Sequence, residues 1–423
     1  MHRLLLIASF LISFWSLSQI DEVRRITETL CSPEFHGRGY VHKGDSIAAV
    51  FLKQEFEKLG VASFNESYFQ HFNLDVNTFP GAMQVSQDGK QFKAGHDFSI
   101  DPSSVGRKGN LKLREVTAKQ ALNLDTMRSI ITTMLDNPLG DEAVLFDMTI
   151  VPSDTAKLLR EIAPQLAVYL PVVEVVNDKF TWSVGREERF YPYLQVQDSA
   201  IDKRGVLSLN IDSKLVKNYE SQNVIGYIPA KKKCAKTVLF TAHYDHLGRM
   251  GNDTYFPGAN DNASGTAMLF TMAKYFKENP PKFNVMFVAF GGEEAGLVGS
   301  KHFVENPILK LKKIRFVVNL DIMGSGEDGI TVVNATLFDQ EFEKLQQINE
   351  NQSLLKEIKK RGPAANSDHY WFTEKGVPAF FIYTRGPNKH YHDVFDEYEA
   401  LSFLEYQDIT TLLIEFVNVL EKK

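Results

Sequence analysis

The chain has 423 residues, of which 43% are apolar and 24% charged, with a formal charge of -6 and a pI near 6.0. That length points to one large domain with a substantial insertion, or to two domains. The composition excludes a disordered or fibrous chain, and the mild acidity argues against nucleic acid or an anionic membrane surface as partner.

Residues 1–18 read as a secretory signal. Arg3 supplies a positive start, Leu4 to Trp15 an apolar stretch too short to span a bilayer comfortably, and Ser16-Leu17-Ser18 a small-residue site before Gln19. The expectation is a secreted or periplasmic protein, and no other segment approaches transmembrane length. Cys31 and Cys234 stand far apart and outside any Cys-x-x-Cys spacing, so two buried structural cysteines are expected, and no disulfide is derived from their positions. Residues 19–79 form the first part of the main domain. Within them Ala48, Phe51, Leu52, Phe56 and Leu59 share one helical face over 45–59, and Gly60 follows as a stop.

From 80 to 205 the pattern changes to short strand-like runs, such as 143–146, with a helix near 154–162, and ligand-like clusters are lacking. This stretch is expected to be an inserted, smaller α+β or β domain. From 206 to 423 the main domain resumes. Strands are expected at 223–228, 237–242, 284–290, 314–320, 330–333 and 379–383, and helices at 263–276, 295–305, 340–349 and 402–420. Continuous apolar strands alternating with helices predict an α/β fold with a mostly parallel mixed sheet covered on both faces.

Chemistry-bearing residues gather after those strands. His243 follows the second, Glu293 and Glu294 the third, Asp321 the fourth; His392 lies in the loop after the last, and Asp261 just precedes the helix from 263. In such sheets, sites form at the carboxyl ends of strands. Two imidazoles and three carboxylates suit a pair of zinc ions, with one carboxylate between them. Glu293, beside a ligand, is left as general base. Asp245 is expected to fix the His243 ring from behind, and His246 to be supporting or merely exposed. Taken singly, each has a plain alternative: a capping Asp261, an acidic first turn at Glu293-Glu294, a hydrogen-bonded His243 at a strand end. The ordered set is what points to metal-assisted hydrolysis.

The segments His243-Tyr244-Asp245-His246-Leu247-Gly248, Gly258 to Gly265, Gly292-Glu293-Glu294 through Ser300, Asn319-Leu320-Asp321, Ser367-Asp368-His369 and Tyr391-His392 resemble the co-catalytic di-zinc aminopeptidase family. That family includes the bacterial leucyl aminopeptidases and aminopeptidase Y, and is related to glutamate carboxypeptidase and glutaminyl cyclase. The resemblance runs from about Val224 onward and touches Leu30 to Arg38. It implies a peptidase acting on peptide substrates with two zinc ions per chain: His243 and Asp321 on one, Glu294 and His392 on the other, Asp261 bridging. It further implies a cis peptide at Asp261–Asn262 and a protease-associated-like domain in the insertion. One departure is Ala364, where some relatives place a tyrosine that polarises the substrate carbonyl.

Three other readings stay open. A glutaminyl cyclase uses a similar sheet with a single zinc. A carboxypeptidase-type relative would use Arg385 as a carboxylate anchor, against the plain reading of Arg385 as a surface ion pair. A metal-dead binding relative would lack ligands, and none is missing. Side-chain preference, natural substrate and oligomeric state are not legible.

Overall fold

The computed structural model describes residues 20–136, 140–231 and 236–420. The signal-like residues 1–18 and Cys234 lie outside them, and Cys31 is buried. Among the described residues no helix is long and apolar enough to cross a membrane.

Two large sheets organise the described residues. In the first, of nine strands, the order is Ala62–Ser63, Lys214–Ile228, Asn284–Phe290, Thr237–His243, Ile314–Asp321, Ala379–Thr384, Ile330–Val333 and Ile358–Lys360, with Phe69–Thr78 also paired to Lys214–Ile228. The four inner strands run parallel and are almost wholly buried. Their apolar, β-branched runs have to be covered on both faces. Gly265–Glu278, Tyr406–Leu420 and Gly44–Lys58 pack on one face, Val298–Glu305 and His369–Glu374 on the other. This is the expected α/β architecture, and strand ends differ from the sequence reading by a residue or two, except that the first strand starts earlier, at Lys214.

Register then sets the site. His243 pairs with Phe290, and Asp321 with Tyr383, so four parallel strands end together and their following loops share one edge. Glu293 and Glu294 follow Phe290 after Gly291-Gly292, and the loop bearing His392 follows Thr384.

The second sheet has eight strands and runs from Met83 to Ile211, with Lys108–Glu115, Glu142–Asp147, Val172–Val176 and Tyr193–Gln197 parallel in its middle. Val206–Ile211 lies between Met83–Gln87 and Lys108–Glu115, so this sheet extends past residue 205. Helices Leu124–Leu135 and Ser153–Leu166 cover one face. The other face is covered by Leu247, Met250, Phe256 and Val394, from the segments that follow the strand ends of the first sheet, Met250 lying in a short ribbon with Thr254–Tyr255. The two sheets therefore share a core next to the candidate site.

Candidate metal centre

Each side chain at the shared edge is placed by its own local device. His243 is the last residue of its strand and is buried. Its Nδ1 donates to the backbone carbonyl of Asp245 at 3.1 Å, whereas the Asp245 carboxylate is 3.9 Å away. The ring is thus fixed by a carbonyl rather than by the expected carboxylate. Asp245 is fully buried and accepts the backbone N–H groups of Glu293 (3.1 Å) and Glu294 (3.3 Å). It holds the opposite turn instead. His246 is not exposed: it is fully buried, and its Nδ1 donates to Glu294 Oε1 at 2.8 Å.

Asp261 sits in a turn opened by Gly258 at φ +59, where a Cβ would fall 2.3 Å from the His246 ring; only glycine fits there. The Asp261–Asn262 peptide is cis. The buried Asp396 carboxylate accepts N–H groups from Asn260 and Asp261, both at 2.9 Å. Asp321 accepts from Ser367 Oγ at 3.4 Å, and Ser367 in turn accepts from Asn319 Nδ2 at 2.8 Å. His392 Nδ1 donates to the Trp182 carbonyl at 2.8 Å. A carbonyl only accepts, so Nδ1 carries a proton and Nε2 is the nitrogen turned toward the carboxylates.

The structure brings all five proposed ligands together. Nε2 of His243 lies 3.2 Å from Asp261 Oδ1 and 3.5 Å from Asp321 Oδ1. Nε2 of His392 lies 3.1 Å from Asp261 Oδ2 and 3.2 Å from Glu294 Oε2. The two oxygens of one carboxylate thus face two different imidazoles. Glu293 belongs to the same constellation, with an oxygen within 4.8 Å of ligand atoms on His243 and Glu294.

So many buried acids need compensating charge. Burial, helped by Glu294, Asp368 and Asp321, pushes the Glu293 carboxyl well above its ordinary range. Burial alone would raise Asp261 too, but hydrogen bonds from His243 and His392 hold it well below. The same contacts act in reverse on the imidazoles. Burial opposes their charge, yet Glu293 and Asp321 raise His243 well above 6.5, and Glu294 and Asp261 raise His392 to about 11. Protonated rings here occupy the role a cation would fill. Asp321 Oδ1 is buried with no hydrogen-bond partner, and carboxylate and imidazole donors at these spacings suit zinc.

Residues outside the proposed ligand set also shape the centre. Arg38 is fully buried and its guanidinium donates to the carbonyls of Tyr244 (2.8 Å), Leu30 (3.0 Å), Pro257 (2.7 Å), Gly258 (2.7 Å) and Asp261 (3.4 Å). Asp368 is fully buried, and burial raises its carboxyl to about 7. Arg385 pairs with Glu357 and, with Asp261, Tyr383, Lys389, His390 and Tyr391, lines a cleft of about 470 Å³.

Residues 223–417 match the model described as Peptidase family M28. This segment belongs to peptidase family M28. Aminopeptidase YwaD of Bacillus subtilis (strain 168) is 31% identical over 219 residues, which cover 50% of this chain and 47% of that protein. A probable zinc metalloprotease of Pyrenophora tritici-repentis is 26% identical over 234 residues, 46% of this chain and 47% of the other. The match spans about half the length of these curated relatives. Over the whole fold, the M28 segment and its partner sheet superpose on BSAP, a zinc aminopeptidase from Bacillus subtilis, with a TM-score of 0.68, 21% identity, and coverage of 94% and 93% of the two chains. A peptidase M28 precursor from Shewanella amazonensis SB2B gives a TM-score of 0.65 at 16% identity, covering 95% and 97%. The fold is that of M28 zinc aminopeptidases.

Proposed function

We propose that this chain is a secreted di-zinc metallo-aminopeptidase that hydrolyses amino-terminal residues from peptides. One observation carries the reading: the Asp261 oxygens stand 3.2 and 3.1 Å from two separate imidazoles. His243 and Asp321 would hold one zinc and His392 and Glu294 the other, with the Asp261 carboxylate shared between the two sets. Bound there, zinc would polarise the scissile carbonyl and lower the pKa of water toward about 7.

The chain's own residues do the rest. Glu293 takes the proton of the attacking water and returns it to the leaving amine. Asp245 positions Glu293 and Glu294 through their backbone N–H groups. The cleft beside Asp261 and Tyr391 receives the substrate. The stretch 80–205 is read as an inserted, protease-associated-like domain, and residues 1–18 as the export signal, which N-terminal sequencing of the exported protein checks by finding Gln19 first.

The test is a panel of aminoacyl-anilides and N-blocked peptides, assayed with and without chelator, alongside zinc content per chain. Hydrolysis of free-amine substrates only, abolished by chelator, with two zinc ions bound, is the expected outcome. One zinc with cyclisation of Gln-peptides would instead make the chain a glutaminyl cyclase, and release of carboxyl-terminal residues a carboxypeptidase.

A further inference from the structure

The second sheet reaches the candidate centre through the segment following strand Val172–Val176. Trp182 meets His392 twice. Its backbone N–H donates to the His392 carbonyl at 2.9 Å, and its own carbonyl accepts the His392 Nδ1 proton at 2.8 Å. Three residues earlier, the Lys179 ammonium donates to the carbonyls of Lys389 (2.7 Å) and Tyr391 (3.1 Å) and to Asp393 Oδ2 (2.9 Å). Every one of these bonds crosses more than 200 residues of sequence.

Trp182 itself is anchored. Its indole stacks on Phe256 at 4.7 Å and 15°, and its Nε1 donates to the Ile100 carbonyl at 2.7 Å. His392 adopts φ +56, a left-handed conformation that a non-glycine residue holds only when its surroundings enforce it. Within the loop the Tyr391 ring stacks on the His392 ring at 3.9 Å, and the Trp182 backbone supplies the hydrogen bonds on both the ring and the carbonyl of His392.

We propose that Lys179 and Trp182 are positioning residues of the catalytic centre, acting as a clamp through which the second sheet holds His392 in its ligating orientation and fixes the Lys389–Tyr391 wall of the substrate cleft. This gives the insertion a job in the chemistry, and it rests on the reading of His392 as a zinc ligand. A carbonyl behind a ligating imidazole sets its tautomer and aim, and loss of such a partner typically costs 10–100-fold in metal affinity or activity. The clamp separates the two ions: it touches the ligand set of His392 and Glu294 and leaves that of His243 and Asp321 alone.

Lys179 is the group to change, because its side chain is half exposed and its loss leaves the Trp182 anchorage intact. Zinc retention against a graded competing chelator, and KM for an aminoacyl-anilide, are measured for wild type, Lys179→Met and Lys179→Arg. Lys179→Met should give up one zinc at about tenfold lower chelator concentration, with the second zinc unmoved, a higher KM and an unchanged melting temperature. Lys179→Arg, which keeps the charge and donors, should return both readings most of the way. Unchanged retention of both ions in Lys179→Met, or equal weakening of both, overturns the clamp while leaving the peptidase reading standing. A wild type that takes up no zinc overturns both.

Discussion

Glu293 and Asp245 are both acids at the candidate centre, and their surroundings set them different tasks. Glu293 lies within 4.8 Å of His243 and Glu294 with its proton affinity raised by burial, so it is placed to move a proton. Asp245 spends its oxygens on two backbone N–H groups. Changing Glu293 to Gln should leave zinc content unaltered and cut turnover by about 10²–10⁴-fold; near-normal turnover would remove it as the base. Changing Asp261 to Ala should empty the centre, since both imidazoles lose their shared acid, and a fully zinc-loaded variant would contradict the bridge. Proton competition gives a third expectation at this scale. The raised affinities of His243 and His392 mean that both must shed protons before ligating. Zinc affinity should therefore rise with pH and fall on acidification, with proton release visible as a buffer-dependent binding enthalpy; a pH-independent affinity would exclude these rings as ligands.

The elements were legible in proportion to how local their causes are. Strands 284–290 and 330–333 follow from continuous apolar runs, and the edge shared by His243, Glu294 and Asp321 follows from parallel strands ending together. His246 supports Glu294, as one of its two readings had it, but the contact of Asp245 was misjudged for a different reason. Which atom of a residue meets a histidine depends on loop geometry, and periodicity carries no information about that. Arg38 was legible only as part of a motif, because its partners are backbone carbonyls as far as 223 residues away. Gly37, at φ +62, leaves no room for a Cβ beside the Gly248 and Phe256 carbonyls, and this lets the turn carrying Arg38 approach. Replacing Arg38 by Met should cost at least about 3 kcal/mol, because several buried carbonyls lose a charged donor at once. Arg38→Lys should be milder but still damaging, since one ammonium cannot reach the carbonyls a planar fork spans. Urea unfolding midpoints of the three proteins check the order, and an Arg38→Met protein as stable as wild type would refute it.

At the scale of the molecule, the two sheets are joined by Leu247, Met250, Phe256 and Val394, which pack against the second sheet while belonging to the M28 segment. The Asp212 N–H donates to the Ala82 carbonyl, so residues 83–211 can be excised with little distortion of the ends. Such a deletion should nevertheless aggregate, because it uncovers that apolar patch beside the centre. Size-exclusion chromatography and zinc content decide the matter: a soluble, zinc-loaded deletion protein would show the second sheet to be dispensable. Sequence composition marked the insertion as different, but the shared core was hidden, because its contributors are single apolar residues in loops.

The turn that carries Asp261 is gripped from both directions along the chain, by Arg38 near one end of the described residues and by Asp396 near the other. During synthesis the early grip waits for the late one. Nascent fragments stopping short of residue 396 should accordingly be harmless to the peptides around them and take up no zinc. The Asp261 turn is thus completed only when Arg38 and Asp396, on opposite sides of it in the chain, are present together.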